Sequence, residues 1–467
     1  MQRQKTISEK YSLLSISLVL FLAFINLSAQ NIFSPMSAAK AHASVGSANG
    51  LDAIFTNPAG IDNSFEQEKL EISVYNLGGK IGSTYLNSSE LKKVFGFGGN
   101  NSAERSELAT LLEDEKLYLN FGVNLLTAKY SFENAGSIGL NIGTRLYGRL
   151  KFDENLINLI ETSNIGKQDY LIINKGVGGA WTREFGLSYS EKIILHNDTF
   201  FPEIRFGITP KFITGVATLE LDPNSVLSIN QVNVRGSAGF RLRGGFVASS
   251  AQAENFDLAA ELASFTTNFF PAGAGFGIGL NVGVQAVLLK SSKDESSAKL
   301  VFGAMLQDYG TINWDKTYSR KLMMLDDTIT TGVISNEKFQ QYAGELVKGE
   351  TFSTKLPSSL RLGLCGQINM LSLALINLDF ETEIPLVEIG GNYTNPRFSL
   401  GGNMSVRQVF NLGTGFSFGG NDNFGYGLGV GYFFTKSLRL DLATSALNKL
   451  FSGNQYDLSA RMSYLIY

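Results

Sequence analysis

The sequence predicts an all-β protein, and more specifically an antiparallel β-barrel that spans a membrane. Three observations lead to this prediction: the composition, an apolar leader, and long segments in which apolar and polar residues alternate. Of the 467 residues, 50 are glycine and 9 are proline, while 11% are aromatic and 17% are charged. A typical chain has about 7% glycine and about 25% charged residues. This composition suits a large all-β structure and argues against a disordered chain or a polytopic helical membrane protein.

The first 29 residues carry the three parts of a secretory signal peptide. Basic residues occur within positions 1–10, an apolar stretch covers positions 13–25, and the small residues Ser28 and Ala29 follow. This arrangement predicts cleavage after Ala29, so that the mature protein begins near Gln30. An uncleaved membrane anchor is the alternative. No later apolar run reaches about 18 residues, so the exported chain is expected to be a soluble β-protein or a barrel within a membrane.

Alternation along the candidate strands favours the barrel. Ile138, Leu140 and Ile142 share one face of a strand, whereas Arg145 and Arg149 lie on the other. Similar alternation occurs in residues 117–125, 204–216, 275–288, 424–432 and 456–466. A tilted strand needs roughly 9–11 residues to cross a bilayer, and several of these segments approach or exceed that length. The polar faces are rich in Gly, Asn, Ser and Arg, which favours a barrel lumen over the alternative, a soluble β-sandwich.

The last segment resembles the C-terminal assembly signal of bacterial outer-membrane barrels. Mainly apolar residues occupy every second position from Tyr456 to Ile466, opposite Arg461 and Ser463. The terminal Tyr467 falls on the polar face, which departs from the usual signal and predicts a slip or bulge there. We expect the barrel-assembly machinery to be a partner through this strand.

Several parts of the chain do not have the pattern of a barrel strand. Residues 31–65 are small and polar but irregular, and they precede the first strand-like run. Four segments show features of short helices and are expected in loops or in the lumen: residues 88–95, 103–114, 153–162 and 336–349. Residues 223–234 and 249–268 receive no assignment.

A family resemblance appears in residues 45–60, which read Val-Gly-Ser-Ala-Asn-Gly-Leu-Asp-Ala-Ile-Phe-Thr-Asn-Pro-Ala-Gly. This stretch resembles the N-terminal signature of the FadL-like outer-membrane β-barrel superfamily, and residues 355–364 are similar to a later strand opening in the same group. The leader exit and residues 148–160 look most like an uncharacterised Bacteroidota branch, of the domain-of-unknown-function type. The resemblance implies a transmembrane barrel of about 14 strands with an N-terminal plug.

The leader and the resemblance together divide the chain into three parts: a signal peptide (residues 1–29), a plug segment (residues 30–68) and an outer-membrane β-barrel (residues 69–467). It implies a plugged channel for hydrophobic or amphipathic solutes in the outer membrane of a Gram-negative bacterium. Outer-membrane lipid and hydrophobic small molecules are then the expected partners. The alternative is a barrel component or partner of a secretion or surface-assembly system without solute transport.

Two sets of candidate site residues follow. The plug or gate candidates, which rest on the resemblance, are Asn57, Pro58, Ala59 and Gly60; the alternative is that they form a simple turn, because proline fixes φ and asparagine caps local backbone groups. The candidates for binding a solute head group in the lumen are cations on polar strand faces: Arg145, Arg149, Lys151, Arg205 and Lys211. The alternative is that these cations pair with carboxylates of the plug or the wall.

Residue counts exclude several kinds of chemistry. The chain has one cysteine and two histidines, so it has no intramolecular disulfide and no zinc site built from four cysteines or from two cysteines and two histidines. The net charge is -3, and nothing in the sequence resembles the concentrated basic face that binding of nucleic acid needs. Residues 273–283 are glycine-rich, but they alternate with apolar residues and lack the context of a phosphate loop. We expect no enzymatic activity, no cofactor and no metal.

Overall fold

Strands make up most of the described residues of the computed structural model. The described residues are 32–62, 69–83, 116–132, 135–151, 170–173, 178–195, 202–221, 226–234, 237–245, 248–252, 273–293, 296–315, 319–322, 327–329, 347–348, 351–370, 373–387, 395–407, 409–420, 423–452 and 455–467. The predicted signal peptide and its cleavage site lie outside these residues.

The described residues form the following strands: β1 (Leu70–Ser83), β2 (Lys116–Ser131), β3 (Ser137–Lys151), β4 (Tyr170–Ile173), β5 (Gly178–Ile194), β6 (Glu203–Leu221), β7 (Val226–Val234), β8 (Ser237–Gly245), β9 (Ala248–Gln252), β10 (Gly275–Lys293), β11 (Ser296–Trp314), β12 (Ser319–Leu322), β13 (Asp327–Ile329), β14 (Val347–Lys348), β15 (Phe352–Lys355), β16 (Ser359–Met370), β17 (Ala374–Pro385), β18 (Arg397–Val406), β19 (Phe410–Gly419), β20 (Asn423–Phe433), β21 (Leu438–Thr444) and β22 (Gln455–Ile466). The α-helices among them are α1 (Pro35–Ala39), α2 (Gly50–Thr56) and α3 (Leu447–Ser452), and Pro58–Gly60 form a turn of 3-10 helix.

Fourteen of the strands close into one antiparallel barrel. Their order around the wall is β1-β2-β3-β5-β6-β10-β11-β16-β17-β18-β19-β20-β21-β22, and β22 pairs with β1 to complete the ring. Closure leaves no long unpaired edge, which is the liability of an open sheet with strands of this length. The prediction of an all-β antiparallel barrel of about 14 strands is confirmed.

The two ends of the barrel differ in the length of their connections. At one end, which we call the turn end, residues 132–136 join β2 to β3, and residues 294–295 join β10 to β11. At the opposite end, the loop end, residues 84–115 lie between β1 and β2. The first residue of β1 pairs with the last residue of β22, so both termini of the barrel lie at the turn end. The predicted β2–β3 hairpin is confirmed, with Gly136 at a φ of +73° in its turn.

Short strands extend the barrel beyond its rim at the loop end. Strands β9, β12, β14 and β15 continue the main sheet there. A second sheet has the order β13-β8-β7-β4. Strands β7 and β9 fall in the two runs to which the sequence assigned no structure.

The wall has an apolar outer face and a polar inner face. In β17, Leu378 and Phe380 are 63% and 50% exposed, whereas Asp379 and Glu381 between them are 2% and 1% exposed. In β3, Ile138 is exposed, while Arg145 and Arg149 are buried. The side-chain faces predicted for this strand are therefore confirmed. No described helix is both long enough and apolar enough to cross a membrane.

Irregularities in the strands change the face on which some residues lie. A bulge in β2 between Asn124 and Leu126 removes Leu125 from the ladder. The alternation predicted for residues 117–125 therefore ends at this bulge, and from there Leu126 pairs with Ile142 of the outer face. Leu125 instead packs in a buried cluster with Trp181 and neighbouring apolar residues.

Residues 32–62 lie inside the barrel and are called the N-terminal segment below. Every residue of the segment is buried except for five that are half-buried: Phe33, Met36, Asn49, Asp52 and Asp62. Wall residues from strands spread around the whole barrel bind the segment by hydrogen bonds: Asn76 of β1, Ser190 of β5, Gln285 of β10, Asp379 of β17 and Ser459 of β22. A segment that touches strands on all sides of a closed barrel fills its lumen.

Glycines on the inner face let the backbone of the segment approach the wall. A Cβ atom built at Gly207 would lie 2.2 Å from the Ala59 nitrogen, and one at Gly303 would lie 2.4 Å from the Val45 carbonyl oxygen. Such distances are too short for any side chain. The abundance of glycine in these strands thus has a packing cause, since only glycine permits so close an approach of two backbones.

The remaining sequence predictions have mixed outcomes. Of the four predicted helices, those at 88–95, 103–114 and 153–162 lie outside the described residues. The helix predicted at 336–349 is wrong at Val347–Lys348, because these residues pair with β12 as strand β14; residues 336–346 and 349 lie outside the described residues. Tyr467 lies beyond the end of β22 and is 42% exposed, so it does not continue the inner face on which Arg461 and Ser463 are buried.

Candidate functional site

The candidate site is the contact between the N-terminal segment and the inner face of the wall. Local signals define the segment's two helical parts. Ser34 caps α1, because its Oγ atom accepts a hydrogen bond from the Ser37 amide at 3.2 Å, and Pro35 occupies the first turn, where its missing N–H costs nothing. Asn57 caps the 3-10 turn in the same way, accepting from the Ala59 amide at 3.2 Å.

The four predicted plug or gate residues, Asn57 to Gly60, form an anchor against the wall. The Nδ2 atom of Asn57 donates to the carbonyl oxygens of Val45 at 2.9 Å and Val284 at 3.1 Å. Ser190 of β5 donates to the Ala59 carbonyl oxygen at 3.0 Å. The predicted alternative, a turn capped by asparagine, is thus present, and the same asparagine also fixes the turn to β10.

A row of carboxylates on β17 holds the first half of the segment. Lys40 donates to Oδ2 of Asp379 at 2.8 Å, and Ser47 donates to the same oxygen at 2.9 Å. Glu381 accepts hydrogen bonds from the backbone amides of Ser44 at 2.7 Å and Val45 at 2.8 Å. Hydrogen bonds with an ionised partner are about twice as strong as neutral ones, so these contacts seat the segment on this wall.

A second ionic contact joins the segment to β22. Arg461 donates to both carboxylate oxygens of Asp52, at 3.0 and 2.9 Å, and it also contacts Asp441 at 3.0 Å. Burial alone would raise the pKa of Asp52, but the Arg461 guanidinium and the Ser34 hydroxyl outweigh it and lower the pKa from its ordinary value of 3.8. Asp52 is therefore held in its charged form at neutral pH.

His42 lies in the segment among three cations. Its side chain is 3% exposed, and neither ring nitrogen has a hydrogen-bond partner among the described residues. Burial, followed by the charges of Arg397, Lys80 and Arg361, lowers the pKa of His42 well below its ordinary value of 6.5. The imidazole is therefore neutral at neutral pH.

Two of the predicted head-group cations converge on one carboxylate. Arg145 of β3 donates to Asp308 at 3.1 Å, and Lys211 of β6 contacts the other oxygen of Asp308 at 2.5 Å. Lys211 also lies 3.4 Å from Glu184. Asp308 sits at an irregularity of β11 with a φ of +50°, and its amide donates to Asn281 at 2.8 Å.

The other three head-group candidates lie elsewhere on the wall. Arg205 is near the turn end and pairs with Glu203. Arg149 and Lys151 belong to the last three residues of β3, so both lie towards the loop end. Arg149 is buried there, with 2% exposure. Of the five cations, the structure brings together only Arg145 and Lys211. The alternative of pairing with wall carboxylates is observed for Arg145, Arg205 and Lys211.

Within the part of the chain that the structure describes, two small cavities lie between the segment and the wall. One, of about 60 Å³, is lined by polar residues at the turn end that include Lys40, Asp52, Asn403 and Asp441. The other, of about 30 Å³, lies between the Arg145–Asp308 pair and apolar side chains of the segment. Because a water molecule needs at least about 10–15 Å³ of such space, each cavity has room for only a few waters.

The smaller cavity has an apolar side and a polar side. Phe33 and Phe55 face it from the segment, with their ring centroids 5.5 Å apart. Asn124 and Arg145 face it from the wall, together with Lys211, Glu184, Asp308 and other polar residues. We call this space the lumen cavity. No group of three or more His, Cys, Asp or Glu residues suited to a metal occurs among the described residues.

Sequence reasoning missed the carboxylates and the aromatic pair. Asp379 and Glu381 alternate with Leu378 and Phe380, so the period of two that indicated other strands was available to place them in the lumen. Asp308 carried no such signal, because its orientation depends on an irregular backbone conformation.

Together, the closed wall and the buried segment define a class of protein: a 14-stranded antiparallel β-barrel whose lumen is filled by its own N-terminal residues. The chain belongs to a family of unknown function, DUF5723, whose model matches residues 64–437. Among curated proteins, none matches this chain.

Solved structures of several bacterial proteins are similar along nearly the whole chain. The toluene transporter TbuX of Ralstonia pickettii is 12% identical with a TM-score of 0.42, over 93% of this chain and 98% of that one. The toluene transporter TodX of Pseudomonas putida is 11% identical with a TM-score of 0.38, over 95% and 98%. A FadL homologue of Pseudomonas aeruginosa is 10% identical with a TM-score of 0.39, over 93% and 99%. The expected Bacteroidota origin stays a prediction.

Proposed function

We propose that this chain is an outer-membrane β-barrel channel for hydrophobic or amphipathic solutes, closed by its N-terminal segment. In this proposal residues 1–29 are a cleaved signal peptide, residues 30–68 form the plug, and residues 69–467 form the barrel. The observation that carries the proposal is the burial of residues 32–62 against strands on all sides of the lumen.

The outer face supports a position in a membrane. Exposed side chains of the barrel strands are large and apolar, with Leu378, Phe212 and Ile278 at 63%, 51% and 60% exposure. Monomeric soluble proteins rarely expose apolar patches of more than a few hundred Å². An apolar band of this kind around a closed barrel is typical of outer-membrane proteins, in which lipid covers it.

The filled lumen supports a closed channel. The cavities beside the segment have volumes of about 60 and 30 Å³. Pockets that bind drug-sized ligands are far larger, with volumes of roughly 300–1,000 Å³. Passage of a solute therefore requires displacement of the segment or an opening of the wall. Asn57, Pro58, Ala59 and Gly60 then serve as the fixed base of the plug, because they are the part held to β5, β6 and β10.

The lumen cavity supports an apolar or amphipathic solute. Its Phe33–Phe55 pair offers an apolar surface, and the polar wall opposite it offers hydrogen-bonding groups. Within this proposal Arg145, Lys211, Arg149, Lys151 and Arg205 are the candidate head-group residues, with Arg145 and Lys211 nearest to the aromatic pair.

Uptake by whole cells tests the channel. Gram-negative cells that produce the full chain are expected to take up the hydrophobic dye 1-N-phenylnaphthylamine faster than cells with an empty vector, while the uptake of maltotriose is unchanged. Cells that produce a chain lacking residues 32–63 should take up both compounds faster. A control variant, Gly366→Ala, adds a Cβ atom that would have no neighbour closer than 4.0 Å, and it should behave as the full chain. Uptake of the dye that is no faster with the full chain than with the vector would refute the proposal.

A further inference from the structure

The charged groups at the lumen cavity balance one another. Two cations, Arg145 and Lys211, and two carboxylates, Asp308 and Glu184, line it. Three contacts of 2.5–3.4 Å connect all four groups. The formal charge of this cluster is therefore zero, and an anionic head group would meet no uncompensated positive charge there.

Two hydrogen-bond donors at the same cavity nevertheless lack an acceptor among the described residues. The Nη2 atom of Arg145 and the Nδ2 atom of Asn124 are both buried, and neither has a hydrogen-bond partner among the described residues. The two side chains belong to residues that are 5% and 1% exposed. A buried donor without an acceptor is destabilising, so both donors favour a ligand that supplies an acceptor oxygen.

The rest of the cavity limits the size and the polarity of the ligand. A volume of about 30 Å³ accommodates a small polar head but not a chain. The apolar part of a solute would have to take the place of Phe33 and Phe55, which close the cavity from the segment. A solute that binds in this way replaces an apolar contact of the plug with its own.

We propose that the lumen cavity binds a neutral amphipathic solute through a carbonyl oxygen, which accepts hydrogen bonds from Arg145 and Asn124 while the apolar tail displaces the Phe33–Phe55 pair. A carboxylate is disfavoured, because it would bring a third negative charge next to Asp308 and Glu184. The inference rests on the proposed channel function and specifies its solute class. It also couples binding to loosening of the N-terminal segment.

Calorimetric titration of the full chain in lipid nanodiscs tests the inference at pH 7. The probes are 2-octanone, octanoate and octane, which share a chain length and differ in the head, with empty nanodiscs as the blank. We expect 2-octanone to bind at least about tenfold more tightly than octanoate and octane, the factor given by hydrogen bonds worth about 1.4 kcal/mol. Octanoate binding as tightly as 2-octanone, or no binding of 2-octanone, would overturn the inference.

Substitutions locate the site. Asn124→Ala is expected to weaken 2-octanone binding about fivefold to tenfold and to leave octane binding unchanged, since it removes one donor. Asn403→Ala, which removes a similar amide from the cavity at the turn end, should change neither. If Asn124→Ala does not fold, the near-isosteric Asn124→Leu takes its place with the same expected result. Equal effects of the Asn124 and Asn403 variants would contradict the assignment.

The dye-uptake experiment separates this inference from the channel itself. If the full chain speeds dye uptake but the probes bind in the wrong order, the channel stands and the carbonyl site is refuted. If dye uptake is unchanged, the channel is refuted whatever the probes do, and the inference falls with it.

Discussion

The Nζ atom of Lys40 lies 2.8 Å from Oδ2 of Asp379, and the two side chains are only 3% and 2% exposed. These residues are 339 positions apart in the chain, so the contact joins the N-terminal segment to a strand that is distant in the sequence. This buried ion pair holds the segment against the barrel wall, because moving the segment away requires the two charges to separate.

Removal of one partner of this pair should loosen the segment. Lys40→Met leaves the Asp379 charge buried without its cation, which typically costs about 3–5 kcal/mol, and Asp379→Asn leaves Lys40 in the same position. We expect either variant to lower the hydrogen-exchange protection of residues 32–56 and to leave that of the barrel strands unchanged. The double variant Lys40→Met/Asp379→Asn should recover part of the protection. Single effects that simply add in the double variant would show that the two side chains are not coupled.

The outer face of β17 should tolerate apolar residues but not a charge. Leu378 is 63% exposed, and in a membrane its neighbour is lipid. Leu378→Arg is expected to lower the free energy of unfolding in bilayers by about 2–4 kcal/mol if this residue lies near the midplane, whereas the control Leu378→Phe should have little effect. Reversible unfolding from vesicles in denaturant measures both. Similar stabilities of the two variants would place this face against water.

Inner-face glycines should be required where the segment approaches the wall. A Cβ atom at Gly207 would lie 2.2 Å from the Ala59 nitrogen. The control is Gly366, which pairs with Leu378 of the outer face and whose Cβ atom would have its nearest neighbour, the Leu378 carbonyl oxygen, at 4.0 Å. Gly207→Ala is therefore expected to displace the segment and raise the current through a planar bilayer, and Gly366→Ala to leave it unchanged. Equal currents for the two variants would mean that the wall does not hold the segment at this position.

Acid should loosen the segment through His42. The pKa of His42 is lowered by burial and by nearby cations, so the seated segment favours the neutral ring. The stabilisation is present in full above the ordinary pKa of 6.5 and is lost as the pH falls from there towards the lowered value. Hydrogen-exchange protection of residues 32–62, measured from pH 7.5 to pH 5, should fall in the wild type.

His42→Asn provides the control for this pH dependence. Asparagine does not titrate, and it tolerates the φ of +71° at this position better than most residues. The variant is expected to show a flatter pH profile over the same range. A profile as steep as that of the wild type would assign the acid effect to other groups.

The sequence predicted the wall of the barrel better than the contacts made inside its lumen. Alternation showed that Arg145 and Arg149 face inward, because a period of two depends only on local order along a strand. The pairing of Arg145 and Lys211 with Asp308 was not visible, since it joins residues up to 163 positions apart and depends on an irregular conformation at Asp308. Likewise, Asn57 to Gly60 were recognisable as a motif, but their contact with Gly207 arises only when the barrel closes.

The single-channel conductance of a chain lacking residues 32–63 tests most directly whether the N-terminal segment closes the lumen. This variant is expected to insert into planar bilayers as a folded barrel, shown by heat-modifiable gel mobility, with a conductance several times that of the full chain. A correctly inserted deletion variant whose conductance equals that of the full chain would show that the segment does not close the lumen.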